Sequence, residues 1–537
     1  MDRDQVPDWS QQRYLLIDDF AGIRQMLQDI LRNVGAEKID HAATGEEAVA
    51  LLKANYYDVV LCDYKLGTGK TGLQVLEEAK LGELIWPACI WLMVSGVKTT
   101  ESVMGTAEFQ PDGYLLKPVT ETVLMARLNR AWEKKQVFAD IDKAHAAKDY
   151  LRAVKCCDDR LATDRLHADE LLRMKANLLL KSSELEQAAA VFKQALAERD
   201  HAWAKTGLAK IHIQNGEYGL AKRLLTEVLL EHPSHLEAYD QLALALQQLG
   251  ELGGAERVLE SAANLSPNSV IRQKNLGEIA LKLGNFGVAE KAFRKSVAVG
   301  EHSVVNTPDA YLGLASVCTT KKRPREALGL LTAVQKTFDS QETQLRAKVA
   351  EGLIHHGIGD EAKAQKAAAA LRQLVAGAQE QPDASTCMDM AKLLFATGDK
   401  ETPATLLREV VKNNHENQQL LAQVQHIFDA ADMGEEGAAL VETSRKEAVA
   451  MMDKGMLLWQ EGQRAEAVEW MRNARKALPS NVRILLNCAH IFIQYMHHNG
   501  VDHALAEEAR TALLQTERLA PGQKRFAQLM ELLEQVM

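Results

Sequence analysis

The sequence predicts a two-part chain, with an α/β domain of five parallel strands followed by an all-α array of repeated helix pairs. Strands and helices alternate over residues 13–135, the strand pattern stops after that point, and a 34-residue repeat then takes over. The first part is predicted to be flavodoxin-like and doubly wound, and the second to be a superhelical solenoid. We expect a tail at 1–12, the α/β domain at 13–135 and the array at 136–537, with its clearest repeats at 202–299.

Short apolar runs and the amphipathic segments between them define the elements of the first domain. The predicted strands are Tyr14–Ile17, Lys38–His41, Asp58–Cys62, Ile90–Val94 and Gly113–Leu116. The predicted helices are Phe20–Val34, Gly45–Asn55, Gly72–Leu81, Thr99–Phe109 and Val119–Gln136. This alternation predicts a parallel sheet covered on both faces, with its functional site at the carboxyl ends of the strands.

Polar residues stand at four of those strand ends. Asp18 and Asp19 end the first strand, Asp63 the third and Ser95 the fourth, and Lys117 follows the fifth. Three carboxylates at one edge repel each other and require a cation, and oxygen ligands with room for water suit Mg²⁺. A lysine and a hydroxyl opposite them suit a phosphoryl group.

Four segments of this domain carry a family pattern in order: IDDFAGIR, CDYKLGTGKTG, MVSG and GYLLKP. With these motifs, residues 13–135 resemble the CheY-like receiver domain of bacterial two-component response regulators. The resemblance implies that Asp63 accepts a phosphoryl group from a sensor histidine kinase or a phosphotransfer protein. Aspartate is a known nucleophile in such covalent transfers.

The resemblance also implies a metal site. Asp19 and Asp63 would bind Mg²⁺ together with the backbone carbonyl of Lys65, and Asp18 would act mostly through water. The remaining roles concern the phosphoryl group: Lys117 would pair with its oxygens, Ser95 would hydrogen-bond to it, and Tyr114 would swing toward the core as Ser95 moves.

The segment Gly69-Lys70-Thr71 offers a competing interpretation, because GKT is the core of a nucleotide-binding loop. That loop requires a glycine five residues before the second glycine, and Tyr64 stands there. The neighbouring Asp63 would also repel a triphosphate. We therefore interpret the segment as a loop beside the phosphorylation site.

In the second part, small residues recur in register. Gly216, Gly250 and Gly284 are spaced by 34 residues, and small residues recur in pairs twelve apart, as in Ala243 and Ala255. Antiparallel helices approach closely only where side chains are small, and glycine suits the turn that follows a helix. The pattern resembles the tetratricopeptide repeat family.

Such arrays bind extended or helical segments of other proteins. By resemblance, the inner groove would include five residues: Lys210, Asp240, Gln247, Lys274 and Glu278. The ligand is not specified by the sequence.

The composition indicates which partners and which cellular compartment to expect. The net charge is -10, which disfavours DNA binding, and no run of about 18 apolar residues predicts a membrane span. The seven cysteines form no CxxC pair, so we expect a reducing, cytoplasmic location.

Together these features predict a response regulator whose output is protein–protein interaction through the array. Beyond the receiver's own phosphoryl chemistry, we predict no enzymatic activity, and homodimerisation remains open. We expect phosphorylation to alter packing of the receiver on the first repeats, near 137–159. Two alternatives are a phosphate sink or inhibitor acting on a sensor histidine kinase, and a constitutive scaffold.

Overall fold

The computed structural model describes residues 7–96, 109–376, 382–520 and 524–537. The chain divides into two compact units, residues 1–212 with 217–310, and residues 311–537 with the segment 213–216. The first unit contains the whole sheet together with the repeats up to residue 310, so the receiver-like part and these repeats form one body.

Five parallel strands form the sheet: β1 Arg13–Ile17, β2 Lys38–Ala42, β3 Val59–Asp63, β4 Ile90–Ser95 and β5 Gly113–Leu116. Their order is β2-β1-β3-β4-β5, and every neighbouring pair is parallel. The prediction of a doubly wound sheet with five parallel strands is confirmed. Because the order reverses beside β1, the ends of β1 and β3 lie next to each other.

Helices cover both faces of the sheet. They are α1 Ala21–Asn33, α2 Gly45–Ala54, α3 Gly72–Leu81 and α4 Glu121–Ala146. The helix predicted at Thr99–Phe109 lies outside the described residues except for Phe109. Alternate strand residues enter different cores: Leu16 packs with residues of α1 and α4, whereas Leu15 packs with residues of α2 and α3.

Helix α4 continues beyond the predicted end at Gln136. It has 26 residues, and its second half packs through Phe138, Ile141 and Ala144 against helices of the repeats. The last helix of the sheet domain is therefore also the first helix of the array.

From α4 onward every described element is a helix. In chain order these are α5 Tyr150–Leu161, α6 Ala168–Lys181, α7 Leu185–Glu198, α8 Ala202–Gln214, α9 Tyr218–Glu231, α10 Leu236–Gln248, α11 Leu252–Leu265, α12 Val270–Lys282, α13 Phe286–Gly300, α14 Pro308–Thr320, α15 Pro324–Thr337, α16 Gln341–Gly357, α17 Glu361–Ala376, α18 Ala384–Ala396, α19 Glu401–Asn413, α20 Gln418–Ala430, α21 Gly434–Gln460, α22 Arg464–Ala477, α23 Val482–Asn499, α24 His503–Leu519 and α25 Lys524–Val536. None of the helices in the described ranges is long and apolar enough to cross a membrane.

The repeating turns have a common backbone conformation. Gly216, Gly250 and Gly284 have φ values of 74°, 77° and 76°, in the left-handed region that glycine adopts without strain. The small residues predicted to lie between paired helices are buried, as Ala243 and Ala255 show at 4% and 0% exposure. These contacts explain why the 34-residue spacing produces stacked helix pairs.

Candidate functional site

Three carboxylates meet at the carboxyl edge of the sheet. Asp18 and Asp19 follow β1, and Asp63 ends β3, which is hydrogen-bonded to β1 in parallel register. One ligand oxygen from each of the three lies within 4.8 Å of the others. The structure thus brings together the acidic set that the strand ends predicted.

A lysine ammonium bridges two of these carboxylates. Lys117 Nζ lies 2.7 Å from Asp18 Oδ2 and 3.0 Å from Asp63 Oδ2. Asp18 is 1% exposed and Asp63 is 9% exposed, whereas Asp19 is exposed. One carboxylate therefore faces solvent while the other two are held by the lysine in a shielded position.

Backbone amides orient the two shielded carboxylates. Tyr64 N donates to Asp63 Oδ1 at 2.8 Å, so each Asp63 oxygen accepts one hydrogen bond. Phe20 N donates to Asp18 Oδ1 at 3.0 Å, and Lys117 donates to its other oxygen. Both side chains are held in one orientation before any ligand arrives.

The site is electrostatically unbalanced. Burial raises the pKa of Asp63, and the hydrogen bond from Lys117 opposes that rise. Partial burial acts to lower the pKa of Lys117, but its hydrogen bonds to Asp18 and Asp63 outweigh this effect and raise it. With all groups ionised, three negative charges and one positive charge leave two negative charges, which fits one divalent cation with oxygen ligands.

The other predicted site residues lie around this cluster. Ser95 ends β4 and is 6% exposed. Tyr114 lies on β5 and packs at the margin of the core beneath α2 and α3. Lys65 lies two residues after Asp63 and is exposed. Their roles in metal binding and switching stay predictions.

The residues of the GKT segment have structural partners. Lys70 Nζ lies 3.0 Å from Glu78 Oε2 on α3 and donates to the carbonyl of His302 at 2.7 Å. The Thr71 hydroxyl accepts from Gln74 N at the start of α3, and Gln74 reciprocates in a capping box. These contacts agree with a structural loop rather than a phosphate cradle.

Sequence reasoning missed the contact that this loop and α3 make with the array. Gln74 Nε2 donates to the carbonyl of Val299 at 2.8 Å, and the Ser303 hydroxyl donates to the carboxylate of Glu77. One signal was available: Glu77 lies four residues after Leu73, on the buried side of α3, where a carboxylate requires a partner.

The candidate groove residues lie on the first helices of consecutive pairs, and most of them have partners. Lys210 of α8 pairs with Glu237 of α10, and Asp240 of α10 pairs with Arg272 of α12 at 2.8 Å. Ion pairs thus link neighbouring first helices. Lys274 and Glu278 pair with each other within α12, and Gln247 is exposed.

Fold and site together define the class of protein. A five-stranded doubly wound sheet with an acidic cluster and a lysine at its carboxyl edge is a receiver domain, and stacked antiparallel helix pairs follow it.

Comparison with family models assigns both parts. The response regulator receiver domain matches residues 14–129, and tetratricopeptide repeat models match residues 179–246, 236–269 and 274–342. The chain therefore consists of an N-terminal CheY-like receiver domain followed by tetratricopeptide repeats.

Similar proteins match one part each. Chemotaxis protein CheY-3 of Vibrio cholerae is 26% identical over 122 residues, covering 23% of this chain and 92% of that protein. A receiver domain structure from Methanospirillum hungatei is 26% identical, with a TM-score of 0.21, covering 23% of this chain and 96% of that one. A tetratricopeptide repeat protein from Parabacteroides merdae is 16% identical, with a TM-score of 0.32, covering 49% of this chain and 98% of that one.

Proposed function

We propose that this chain is a response regulator in which Asp63 accepts a phosphoryl group and the repeat array carries the output by binding proteins. The observation that carries the proposal is the ammonium of Lys117 between Asp18 and Asp63, inside a cluster of three carboxylates. Such a lysine neutralises charge in a site where phosphate oxygens must approach carboxylates.

The residues of the chain support phosphoryl transfer by position and charge. An Asp63 oxygen attacks phosphorus, the new O–P bond forms as the bond to the donor histidine nitrogen breaks, and that nitrogen takes a proton from solvent. Tyr64 N and Lys117 hold the attacking carboxylate in place, which lowers the entropic part of the barrier. In the product, Lys117 pairs with the phosphoryl oxygens and Ser95 donates to one of them.

A divalent cation completes the site. Asp19, Asp63 and the Lys65 carbonyl would hold Mg²⁺, with Asp18 acting through water. When bound, Mg²⁺ supplies positive charge against the phosphoryl oxygens.

The output is binding by the array, and the proposal includes no second catalytic centre. A sensor histidine kinase or phosphotransfer protein is the expected donor, and a protein segment is the expected groove ligand. All seven cysteines lie in the described residues and none forms a disulfide there, which supports the proposed cytoplasmic location.

The first prediction concerns Asp63 itself. Incubation with acetyl phosphate and Mg²⁺ should add the mass of one phosphoryl group to the wild type and none to Asp63→Asn, because only the carboxylate can accept it. Intact-mass spectrometry measures this, and removal of Mg²⁺ with a chelator should abolish the gain.

Equal mass gain in Asp63→Asn would contradict the assignment of the acceptor. Absence of any gain with acetyl phosphate or a phosphorylated kinase would favour the constitutive scaffold. If phosphorylation leaves the array's ligand binding unchanged and the chain drains phosphate from another regulator, the phosphate sink is favoured.

A further inference from the structure

The receiver contacts the repeat array through one face of α3. We give the name α3 face to Gln74 and Glu77 of α3 together with Lys70 of the loop that precedes it, and the name array turn to residues 299–303, at the end of α13. Lys70 Nζ and Gln74 Nε2 donate to array-turn carbonyls at 2.7 Å and 2.8 Å, and the Ser303 hydroxyl donates to Glu77. Both segments belong to the first compact unit.

Burial and pairing show that this contact is specific. Glu77 is 6% exposed and Ser303 is 9% exposed, so a carboxylate is withdrawn from water against a hydroxyl of the array. A buried carboxylate is tolerated only where it is hydrogen-bonded. The Ser303 hydroxyl also accepts from Val305 N at 3.1 Å, which holds the array turn in the shape that presents it.

The α3 face is joined directly to the phosphorylation site. Gly72 N donates to the Tyr64 carbonyl at 3.1 Å, and a Cβ at Gly72 would lie 1.7 Å from the Asp63 carbonyl oxygen. The start of α3 therefore lies against the end of β3 with no space between them. A movement of the Asp63 backbone must therefore also move the start of α3.

The loop between β3 and α3 also reaches the exposed carboxylate of the acidic cluster. A Cβ at Gly67 would lie 3.3 Å from Asp19 Oδ2, so this loop residue borders the space next to the metal-binding carboxylates. Three residues later, Lys70 N donates to Glu46 Oε1 at 3.1 Å and its ammonium reaches His302. One short loop thus connects the acidic cluster with the array turn.

We infer that the array turn is the docking site for the receiver's own α3 face, and that phosphorylation of Asp63 releases it. This inference rests on the proposed function. The Lys65 carbonyl would help to hold the cation, and Gly67 borders Asp19 of the acidic cluster, so we expect the loop to shift when the phosphorylated site fills. Hydrogen bonds to carbonyls weaken steeply with distance and angle, and a shift of about 1 Å is enough to break those of Lys70 and Gln74.

This placement differs from the packing expected near residues 137–159. There, Glu83 of the receiver and Lys148 of the first repeats form an ion pair at 4.0 Å with both side chains largely exposed, and Lys134 and Glu170 form a second exposed pair nearby at 2.8 Å. An exposed pair of that kind contributes little. The hydrogen bonds that we expect to change when Asp63 is phosphorylated lie at the array turn instead.

The first experiment tests docking: a side chain of the receiver is removed, and hydrogen exchange of the array turn is measured. Lys70→Ala removes the bond to His302, and hydrogen exchange of array-turn amides in the full chain should rise by on the order of tenfold. Lys53→Ala is the matched control, because Lys53 also pairs with Glu78, at 3.0 Å, from α2; it should leave array-turn exchange unchanged. Ser303→Ala should raise exchange in α3, which measures the contact from the other side.

The second experiment tests phosphorylation and uses the wild type with acetyl phosphate and Mg²⁺. Array-turn exchange should rise toward the level of Lys70→Ala, while Asp63→Asn under the same treatment should not change. A phosphoryl mass gain with unchanged or lower array-turn exchange would overturn this inference and leave the proposed function standing.

Failure of the chain to take up phosphate would overturn the proposed function, while the variants would still report on docking. If Lys70→Ala leaves hydrogen exchange of the array turn unchanged and Ser303→Ala leaves that of α3 unchanged, the inferred docking site is wrong.

Discussion

At the scale of single residues, Gly72 shows how tightly the acidic site is built. The residue lies where β3 ends and α3 begins, and its position against the Asp63 carbonyl leaves no volume for a side chain. The glycine is required by this close approach, not by its backbone angles. Any larger residue must push α3 away from the strand that carries Asp63.

We therefore predict that Gly72→Ala lowers the free energy of unfolding of the receiver by about 3 kcal/mol, because overpacking here moves backbone rather than a flexible side chain. Denaturant unfolding followed by near-ultraviolet circular dichroism measures the loss. Gly219→Ala, where a Cβ meets nothing within 4 Å, serves as the control and should be neutral or slightly stabilising. A neutral Gly72→Ala would show that the contact is not tight.

The sequence was sufficient to predict the acidic residues but not the α3 face. Asp18, Asp19 and Asp63 could be grouped because parallel strands place their carboxyl ends at one edge. The array partner of Lys70, His302, is 232 positions away in sequence, and no periodicity connects the two. Only the folded path of the array brings His302 to this loop.

At the scale of elements, the side-chain sizes at two facing positions of each helix pair compensate for one another from repeat to repeat. Gly277 faces Phe293, and a Cβ added at Gly277 would lie 2.6 Å from the ring. One and two repeats earlier the corresponding residues are Ala243 with Leu259 and Ala209 with Leu225. A smaller residue on one helix is thus accompanied by a larger one on its partner, which keeps the packing dense.

We expect Gly277→Ala alone to lower the stability of the array by about 2 kcal/mol through overpacking, and Phe293→Leu alone to lower it by about 1.5 kcal/mol through a cavity. The double variant reproduces the pair found one repeat earlier and should recover most of the loss. A double-mutant cycle from denaturant unfolding measures the coupling. Strictly additive losses would contradict the proposed compensation of side-chain sizes.

Several repeats were difficult to see in the sequence because their turns lack glycine. Lys148, Ser183, Lys322 and Asp432 have φ values of 58°, 62°, 58° and 56°, in the conformation that Gly216 and Gly250 adopt elsewhere. Packing of the paired helices maintains these turns despite the unfavourable backbone region. Sequence patterns detect the glycines and therefore the central repeats first.

At the scale of the whole molecule, α4 determines how the receiver and the array are joined. Leu124 and Leu128 of this helix enter the receiver core, whereas Phe138 and Ile141 enter the core of the first repeats. The periodicity that predicted a helix ending at Gln136 ends where the receiver-facing stripe ends. The same helix then continues with a different buried face.

Insertion of two glycines after Gln136 should separate the two parts. Two residues rotate the later part of a helix by about 200°, which turns Phe138 and Ile141 away from the repeats. Limited proteolysis should then cut near the insertion, and calorimetry should resolve separate transitions for receiver and array. The same insertion after Arg165, between α5 and α6, should leave the receiver's junction resistant to protease. Equal resistance in both variants would contradict a structural role for the continuous helix.

The shared helix also has a consequence for the order of events at the ribosome. The receiver sheet has all its core residues once Ala131 has emerged, but Phe138, Ile141 and Ala144 pack against Leu171 and Leu178, which are made later. Nascent chains fold from the N-terminus as units become complete. The first half of α4 can therefore pack in the receiver core while its second half still exposes an apolar stripe. The first repeat then folds by packing against this exposed half of the receiver's last helix.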